Sequence, residues 1–203
     1  MFRILRKRPL VKDPIAIFSA EWLAKRFNMN VIVLIRHPAA FAGSLKKANW
    51  SHPFDHFIKQ PLLMEHHLGE YRLEIEEYSK TQKDIIDQAC LLWNLIHHMI
   101  LKFQRKNRDW IFLRHEDISE NPLQEFSRIY EALGLKYTSK IQSRIMEYSY
   151  ADSYQEQKDS LKGCSRSNIW RWKKRLTVEE IQRVKERTSR IASKLYGEES
   201  WVI

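Results

Sequence analysis

The stretch VIVLIRHPAAFAGS, residues 31–44, limits the possible folds more than any other part of the chain. It begins with a continuous apolar run, which is typical of a strand buried on both faces of a parallel sheet. Arg36 follows the run directly, and Pro38 suits the first position of a helix, where no free amide is needed. The sequence therefore predicts a strand that turns at once into a helix, as in a parallel α/β sheet.

Further strands and helices are predicted along the chain, and only five glycines occur in its 203 residues, which favours helices. PLVKDP, residues 9–14, is typical of a short strand, and WIFLRHEDI, residues 110–118, of a second buried strand. Polar residues 150–168 predict a mobile loop. Helical patterns cover residues 15–27, 38–49, 84–103 and 122–135, and a last helix begins at Thr177.

These patterns predict one domain over residues 1–203, in which a parallel sheet is flanked by helices. Ligands of such sheets bind beyond the carboxyl ends of the strands. Three predicted strands end in charged residues there, namely Lys12-Asp13, Arg36-His37 and Arg114-His115. We therefore expect these strand ends to meet in one crevice.

The formal charge of +10 predicts an anionic partner without naming its class. Nucleic acid, a membrane surface, a sulfated polymer and a nucleotide all stay open. The basic residues concentrate in 1–12 and 162–175, two segments without an acidic residue. Both segments are also consistent with ordinary solvated faces.

The remaining composition argues against a metal site and against a membrane span. Cys90 and Cys164 have no metal or redox spacing, which indicates a reducing compartment and a cytoplasmic protein. No apolar run approaches the ~20 residues that cross a bilayer. His52 and His56 lie in an irregular segment, and a zinc site needs three or four converging ligands, so we expect no metal.

Arg36 and Ser44 are candidate ligands of a phosphate group. A guanidinium presents a rigid fork of donors that matches phosphate oxygens. Ser44 adds a hydroxyl two turns into the following helix, close to the helix amino terminus. Arg36 paired with an acid and Ser44 packed inside the fold is the alternative, which the pattern alone leaves open.

Four segments carry a family resemblance. VIVLIRHPAAFAGS resembles the 3′-phosphate-binding segment of sulfotransferases that use 3′-phosphoadenosine-5′-phosphosulfate (PAPS), with a serine eight residues after the arginine. LVKDP, FLRHEDISENP and SRSNIWRWKKRLT resemble three further family segments in the same order. The resemblance implies a three-layer, P-loop-like fold and sulfuryl transfer from PAPS to a hydroxyl or amine. The product would be adenosine 3′,5′-bisphosphate.

The resemblance also implies roles for individual residues. Arg36 and Ser44 would bind the 3′-phosphate. His115 stands where the family often has a tyrosine near the adenine, and an imidazole can stack there. Arg166 matches a basic residue of the carboxyl-terminal loop. Lys12 matches a lysine near the reacting centre in part of the family, although an ordinary solvent-exposed strand end is an equal interpretation.

The reacting side of the site is less complete in this sequence. Asp13 is a candidate base beside Lys12, with capping of the next turn as the alternative. The family's phosphate loop should precede PLVKDP, but only nine residues precede Leu10 and no glycine occurs before Gly43. We therefore expect an amino-terminally truncated domain, as a fragment or one piece of a split enzyme, that binds the bisphosphate with little turnover. An exposed sheet edge would then favour self-association or a partner chain.

Two other functions stay open at this point. A non-enzymatic nucleic-acid-binding module would use the basic segments, with Trp170 and Trp172 available for stacking. An intact kinase-like nucleotide enzyme would need a phosphate loop, which the sequence does not contain. For a sulfotransferase, residues 50–60 are a candidate acceptor loop, in which Trp50 and Phe54 would meet a small molecule, glycan or lipid.

Overall fold

The computed structural model describes residues 8–13, 15–150 and 168–202. Within these ranges the sheet consists of β1 (Ile32–Ile35) and β2 (Ile111–Arg114). The strands pair in parallel, with Ile32 opposite Ile111 and Ile35 opposite Arg114. The parallel α/β prediction is confirmed for these two strands.

The third predicted strand is absent from the described part of the chain. Residues 9–13 of PLVKDP form neither helix nor strand, and Leu10 and Val11 are exposed. A strand is stable only when a neighbour satisfies its backbone amides and carbonyls, and no described strand lies beside this segment. The prediction that three strand ends share a crevice is therefore wrong for Lys12-Asp13.

Helices make up most of the described fold. Two of them follow the strands directly, and short 3₁₀ turns precede the first, link the fourth to the fifth and follow the last. The helices are α1 (Ala20–Phe27), α2 (Pro38–Ala48), α3 (Asp55–Ile58), α4 (Pro61–His66), α5 (Arg72–Lys80), α6 (Ile85–Lys106), α7 (His115–Glu120), α8 (Pro122–Ala132), α9 (Ser139–Tyr150), α10 (Trp172–Arg175) and α11 (Val178–Ala192).

The long helix α6 is the centre of the hydrophobic core. It packs against α2 and α11, and Trp93 and Leu95 have no solvent exposure. The sequence predicts an apolar stripe on this helix, formed by Ile85, Ala89, Leu92, Ile96, Ile100 and Phe103. All of these residues are buried except Ile85, which is half-buried. None of the described helices combines the length and the apolar character needed to cross a membrane.

Strand β1 is covered on one face only. Val33 and Ile35 lie in the core with α2 and α6, whereas Ile32 and Leu34 are 41% and 52% exposed. The prediction of a strand buried on both faces is therefore wrong for β1. Within the described ranges, no element covers the Ile32 and Leu34 side chains to the degree that α2 and α6 cover the opposite face.

Local signals place several element ends correctly. Pro38 is the first residue of α2, and Gly134 has a φ of +59° just after α8. Thr177 and Glu180 form the predicted capping box of α11. The predicted loop falls almost wholly on residues 151–167, which lie outside the described ranges.

Two predictions for the first third of the chain fail. A continuous helix over 15–27 would bury Trp22 and Phe27, but both are exposed. The segment is instead divided into a 3₁₀ turn at Ala16–Ser19 and the helix α1, and neither of them has a fully buried residue. Residues 50–62 contain α3 and the start of α4, and Phe54 is buried against Phe57 and Tyr78. Phe54 therefore cannot contact an acceptor, although Trp50 is exposed.

Candidate anion-binding site at the carboxyl edge of the sheet

Arg36 is held at the end of β1 with unused hydrogen-bonding capacity. The indole Nε1 of Trp93 donates to the Arg36 carbonyl oxygen at 2.9 Å, which fixes the backbone at this point. The Arg36 Nε is buried and has no hydrogen-bond partner among the described residues. Burial lowers the pKa of Arg36, the negative charge of Glu116 opposes that shift, and the positive charge of Arg175 adds to it. A buried, unpaired donor of this kind is suited to an anion.

Ser44 of α2 is in contact with Arg175, a residue of α10. Its hydroxyl donates to the Ala40 carbonyl oxygen at 2.9 Å, as is common for serine inside a helix. Arg175 Nη1 in turn donates to Ser44 Oγ at 3.4 Å. Arg175 thus lies beside Ser44 and near enough to Arg36 to repel its charge. Arg36 at the end of β1, Ser44 of α2 and Arg175 of α10 are therefore near one another.

Glu116 connects the ends of the two strands. Its Oε1 accepts from the backbone amide of His37 at 3.1 Å, and its Oε2 accepts from the Tyr196 hydroxyl at 2.9 Å. Burial and the adjacent carboxylate raise the pKa of Tyr196, which therefore stays a neutral donor. Glu116 holds the turn that carries Arg36 and also moderates the positive charge of the site.

His37 follows Arg36 in the chain and is a buried, neutral aromatic residue. Its ring stacks on Trp172 with centroids 5.3 Å apart, and Tyr196 and Trp201 meet it edge-on. Its Nδ1 accepts from the amide of Ala39 at 3.3 Å. Burial lowers the pKa of His37 to about 3, so the ring is uncharged near neutral pH. Trp172 is buried, which confirms that it is a packing residue.

His115 lies between Arg36 and an apolar cavity. Burial lowers the pKa of His115, and the positive charge of Arg36 lowers it further. The His115 Nδ1 is buried without a hydrogen-bond partner in the described ranges. The cavity has a volume of about 610 Å³, and its lining includes Leu34, His115, Ile118, Phe126, Tyr130 and Tyr148.

Arg114, the last residue of β2, forms an ion pair with Asp117 of α7. Arg114 Nε and Nη2 donate to the two carboxylate oxygens of Asp117 at 2.9 and 2.6 Å. Arg114 Nη1 also donates to the Leu195 carbonyl oxygen at 3.3 Å. These bonds give Arg114 a structural role.

Three other residues were predicted to belong to the site, namely Lys12, Asp13 and Arg166. Lys12 and Asp13 are exposed, and no contact joins either of them to Arg36, Ser44 or His115 among the described residues. Asp13 Oδ1 accepts from the amides of Ile15 and Ala16 at 2.9 and 3.2 Å, so the capping interpretation is confirmed. Arg166 lies outside the described ranges. Across residues 8–13, 15–150 and 168–202, no group of three metal-binding side chains is close enough to hold an ion.

Sequence reasoning missed two residues of the site, Glu116 and Arg175. A signal for Glu116 was present, since an acid directly after β2 must lie near the end of a parallel β1. Arg175 had no comparable signal, because it belongs to a run of basic residues in which only the fold distinguishes one side chain from the next.

Comparison with known families shows the family of the chain. The family described as the sulfotransferase domain matches residues 14–197, and the chain therefore belongs to the sulfotransferase domain family. No curated protein and no solved structure matches the chain.

Proposed function

We propose that the protein binds the 3′-phosphoadenosine end of PAPS at the carboxyl edge of the β1–β2 sheet. The main support is the buried, unpaired Nε of Arg36, which lies near the Arg175–Ser44 pair. A doubly charged phosphate would supply the missing acceptor and neutralise the two guanidinium groups. Arg36 would bind the 3′-phosphate through its unpaired Nε, and Ser44 would bind it once its hydroxyl proton turns from the Ala40 carbonyl oxygen to the phosphate.

The adenine would occupy the cavity beside His115. Its apolar lining suits a flat heteroaromatic ring, and the neutral imidazole can stack on a purine. Because one ribose carries both the base and the 3′-phosphate, the two binding regions must be close, and His115 lines the cavity while interacting electrostatically with Arg36. Arg166 is proposed as a further cofactor-binding residue on the resemblance alone.

PAPS supplies a sulfuryl group for transfer to a hydroxyl or amine of a small-molecule, glycan or lipid acceptor. In this proposal the described residues bind and orient the 3′-phosphoadenosine end of PAPS. Catalytic roles for Lys12 and Asp13 stay predictions, and both side chains are exposed. Low turnover by these 203 residues stays a prediction of the family resemblance.

We also propose a single domain over residues 1–203 with the three-layer, P-loop-like architecture, and a cytoplasmic location. The parallel pairing of β1 with β2 supports this architecture, and the buried free thiol of Cys90 supports a reducing environment.

Isothermal titration tests the proposed function. We expect adenosine 3′,5′-bisphosphate to bind at least about tenfold more tightly than adenosine 5′-monophosphate, which lacks the 3′-phosphate. Arg36→Ala should remove that preference, whereas Arg108→Ala removes an exposed arginine and should preserve it. Equal binding of the two nucleotides by the parent protein would refute the assignment.

The same samples distinguish the nucleic-acid alternative. A single-stranded oligonucleotide whose affinity falls steeply with salt, without competition from the bisphosphate, would favour a nucleic-acid-binding module. The proposed function predicts that the bisphosphate displaces any oligonucleotide bound at the site.

A further inference from the structure

We infer that Arg175 is a third ligand of the 3′-phosphate, so that the phosphate joins α10 to the Arg36–Ser44 pair. The inference rests on the proposed function and extends it to a residue outside the segment that binds the phosphate by resemblance. Its basis is the position of Arg175, whose guanidinium already contacts Ser44 Oγ at 3.4 Å.

The backbone of Arg175 is held close to α2. A Cβ added at Gly43 would lie 3.5 Å from the Cβ atoms of both Arg175 and Trp172, so α10 packs directly on this glycine. Trp172 and Leu176 on either side of the last turn of α10 are buried. Little ordering is therefore needed before the Arg175 side chain reaches a ligand beside Ser44.

The local charges indicate an anion as that ligand. Arg36 and Arg175 are both half-buried, and their two positive charges repel each other. Glu116 offsets part of this repulsion, but its oxygens already accept from His37 and Tyr196. An incoming phosphate would be attracted by both guanidinium groups and would relieve their repulsion.

Two other basic residues lie near this part of the fold. Lys46 is bound to both carboxylate oxygens of Glu180 at 2.7 Å, which neutralises it. Lys174, next to Arg175 on α10, is exposed. Lys174 thus provides a matched control, because it carries the same charge one residue away.

The experiment compares the nucleotide preference of four variants. The measured quantity is the ratio of affinities for adenosine 3′,5′-bisphosphate and adenosine 5′-monophosphate, obtained by titration calorimetry. Arg175→Ala and Arg175→Gln should lower this ratio about tenfold or more, because each removes a charge-assisted hydrogen bond to the 3′-phosphate. Lys174→Ala and Lys174→Gln should change it by no more than about twofold.

The outcomes separate this inference from the proposed function. If Arg36→Ala lowers the ratio but the Arg175 variants match the Lys174 variants, Arg175 is not a ligand and the proposed function stands. If the parent protein has no preference for the bisphosphate, both proposals are wrong. Arg175→Gln keeps most of the aliphatic stem that packs near Gly43, and thermal unfolding of each variant shows whether the fold is intact.

Discussion

Arg175 Nη1 lies 3.4 Å from Ser44 Oγ, although 131 positions separate the two residues in the chain. The contact joins the basic carboxyl-terminal segment to the helix that follows β1. It exists because α10 packs on α2 where Gly43 has no side chain. The position of the arginine therefore depends on how closely these two helices approach.

Gly43 tests that dependence directly. A Cβ at this position meets its neighbours at 3.5 Å, which is ordinary van der Waals contact. Gly43→Ala should therefore fit and raise the free energy of unfolding by about 0.5–1 kcal/mol, because alanine is the better helix former. Gly43→Leu should instead push α10 away and cost about 1–3 kcal/mol.

Urea unfolding measures both changes in stability, and calorimetry measures the accompanying change in binding. The displaced α10 of Gly43→Leu should also weaken the affinity for adenosine 3′,5′-bisphosphate, while Gly43→Ala should retain it. Parent-like binding by Gly43→Leu would show that the approach of α10 does not control the site.

The amino-terminal cap of α11 is the basis of a second prediction. Thr177 Oγ1 accepts from the Glu180 amide at 3.2 Å, and Glu180 Oε2 accepts from the Thr177 amide at 2.8 Å. Thr177→Ala should lower the free energy of unfolding by about 1 kcal/mol, whereas Thr177→Ser keeps the hydroxyl and should lose much less. Urea unfolding distinguishes them, and equal losses would argue against a capping role.

Local features of the fold were predictable because a few neighbouring residues determine them. Pro38 starts α2, the Thr177–Glu180 box starts α11, and Gly134 takes a left-handed conformation after α8. The apolar runs of β1 and β2 likewise predicted two parallel strands. Each of these signals lies within a few residues of the structure that it specifies.

Features that depend on distant contacts were not predictable in the same way. The His37–Glu116 hydrogen bond spans 79 positions, and the Arg175–Ser44 contact depends on helix packing that no local pattern encodes. The strand predicted for PLVKDP failed for a related reason, since a short apolar segment becomes a strand only beside a partner. The sequence predicted Arg36, Ser44 and His115 as candidate site residues. The contacts of Glu116 and Arg175 in the same region became visible only in the folded structure.

Buried histidines make stability dependent on pH. Burial lowers the pKa of His37 and of His97 to about 3, from an ordinary value of 6.5. Below about pH 6.5 the unfolded chain therefore binds protons that the folded chain does not, and each histidine lowers stability by up to about 1.4 kcal/mol per pH unit. The free energy of unfolding is therefore unaffected by these two histidines above pH 6.5, where they are neutral in both states. It decreases as the pH falls from 6.5 toward 3.

His97→Phe isolates one of these two contributions. The His97 ring stacks on Trp93 with centroids 3.8 Å apart, and phenylalanine can preserve that packing. Urea unfolding between about pH 5 and 6.5 should show a shallower loss of stability in the variant. At higher pH the two profiles should run parallel, and an unchanged slope at low pH would contradict the assignment to His97.

The uncovered face of β1 leads to the last prediction, which concerns association. Ile32 and Leu34 are 41% and 52% exposed on a strand whose opposite face is in the core, and apolar strands of this kind tend to associate. We propose that two copies of the chain associate through this face, because a second copy offers the same apolar side chains. Leu34 also lines the cavity proposed for the adenine, so the variant is made at Ile32 and the protein is kept free of nucleotide. Sedimentation velocity should show a concentration-dependent dimer, and Ile32→Lys should abolish it by placing a charge in the contact. Leu73→Lys, at an exposed leucine of α5, should leave the dimer unchanged. A protein that remains monomeric at high concentration would exclude self-association through β1.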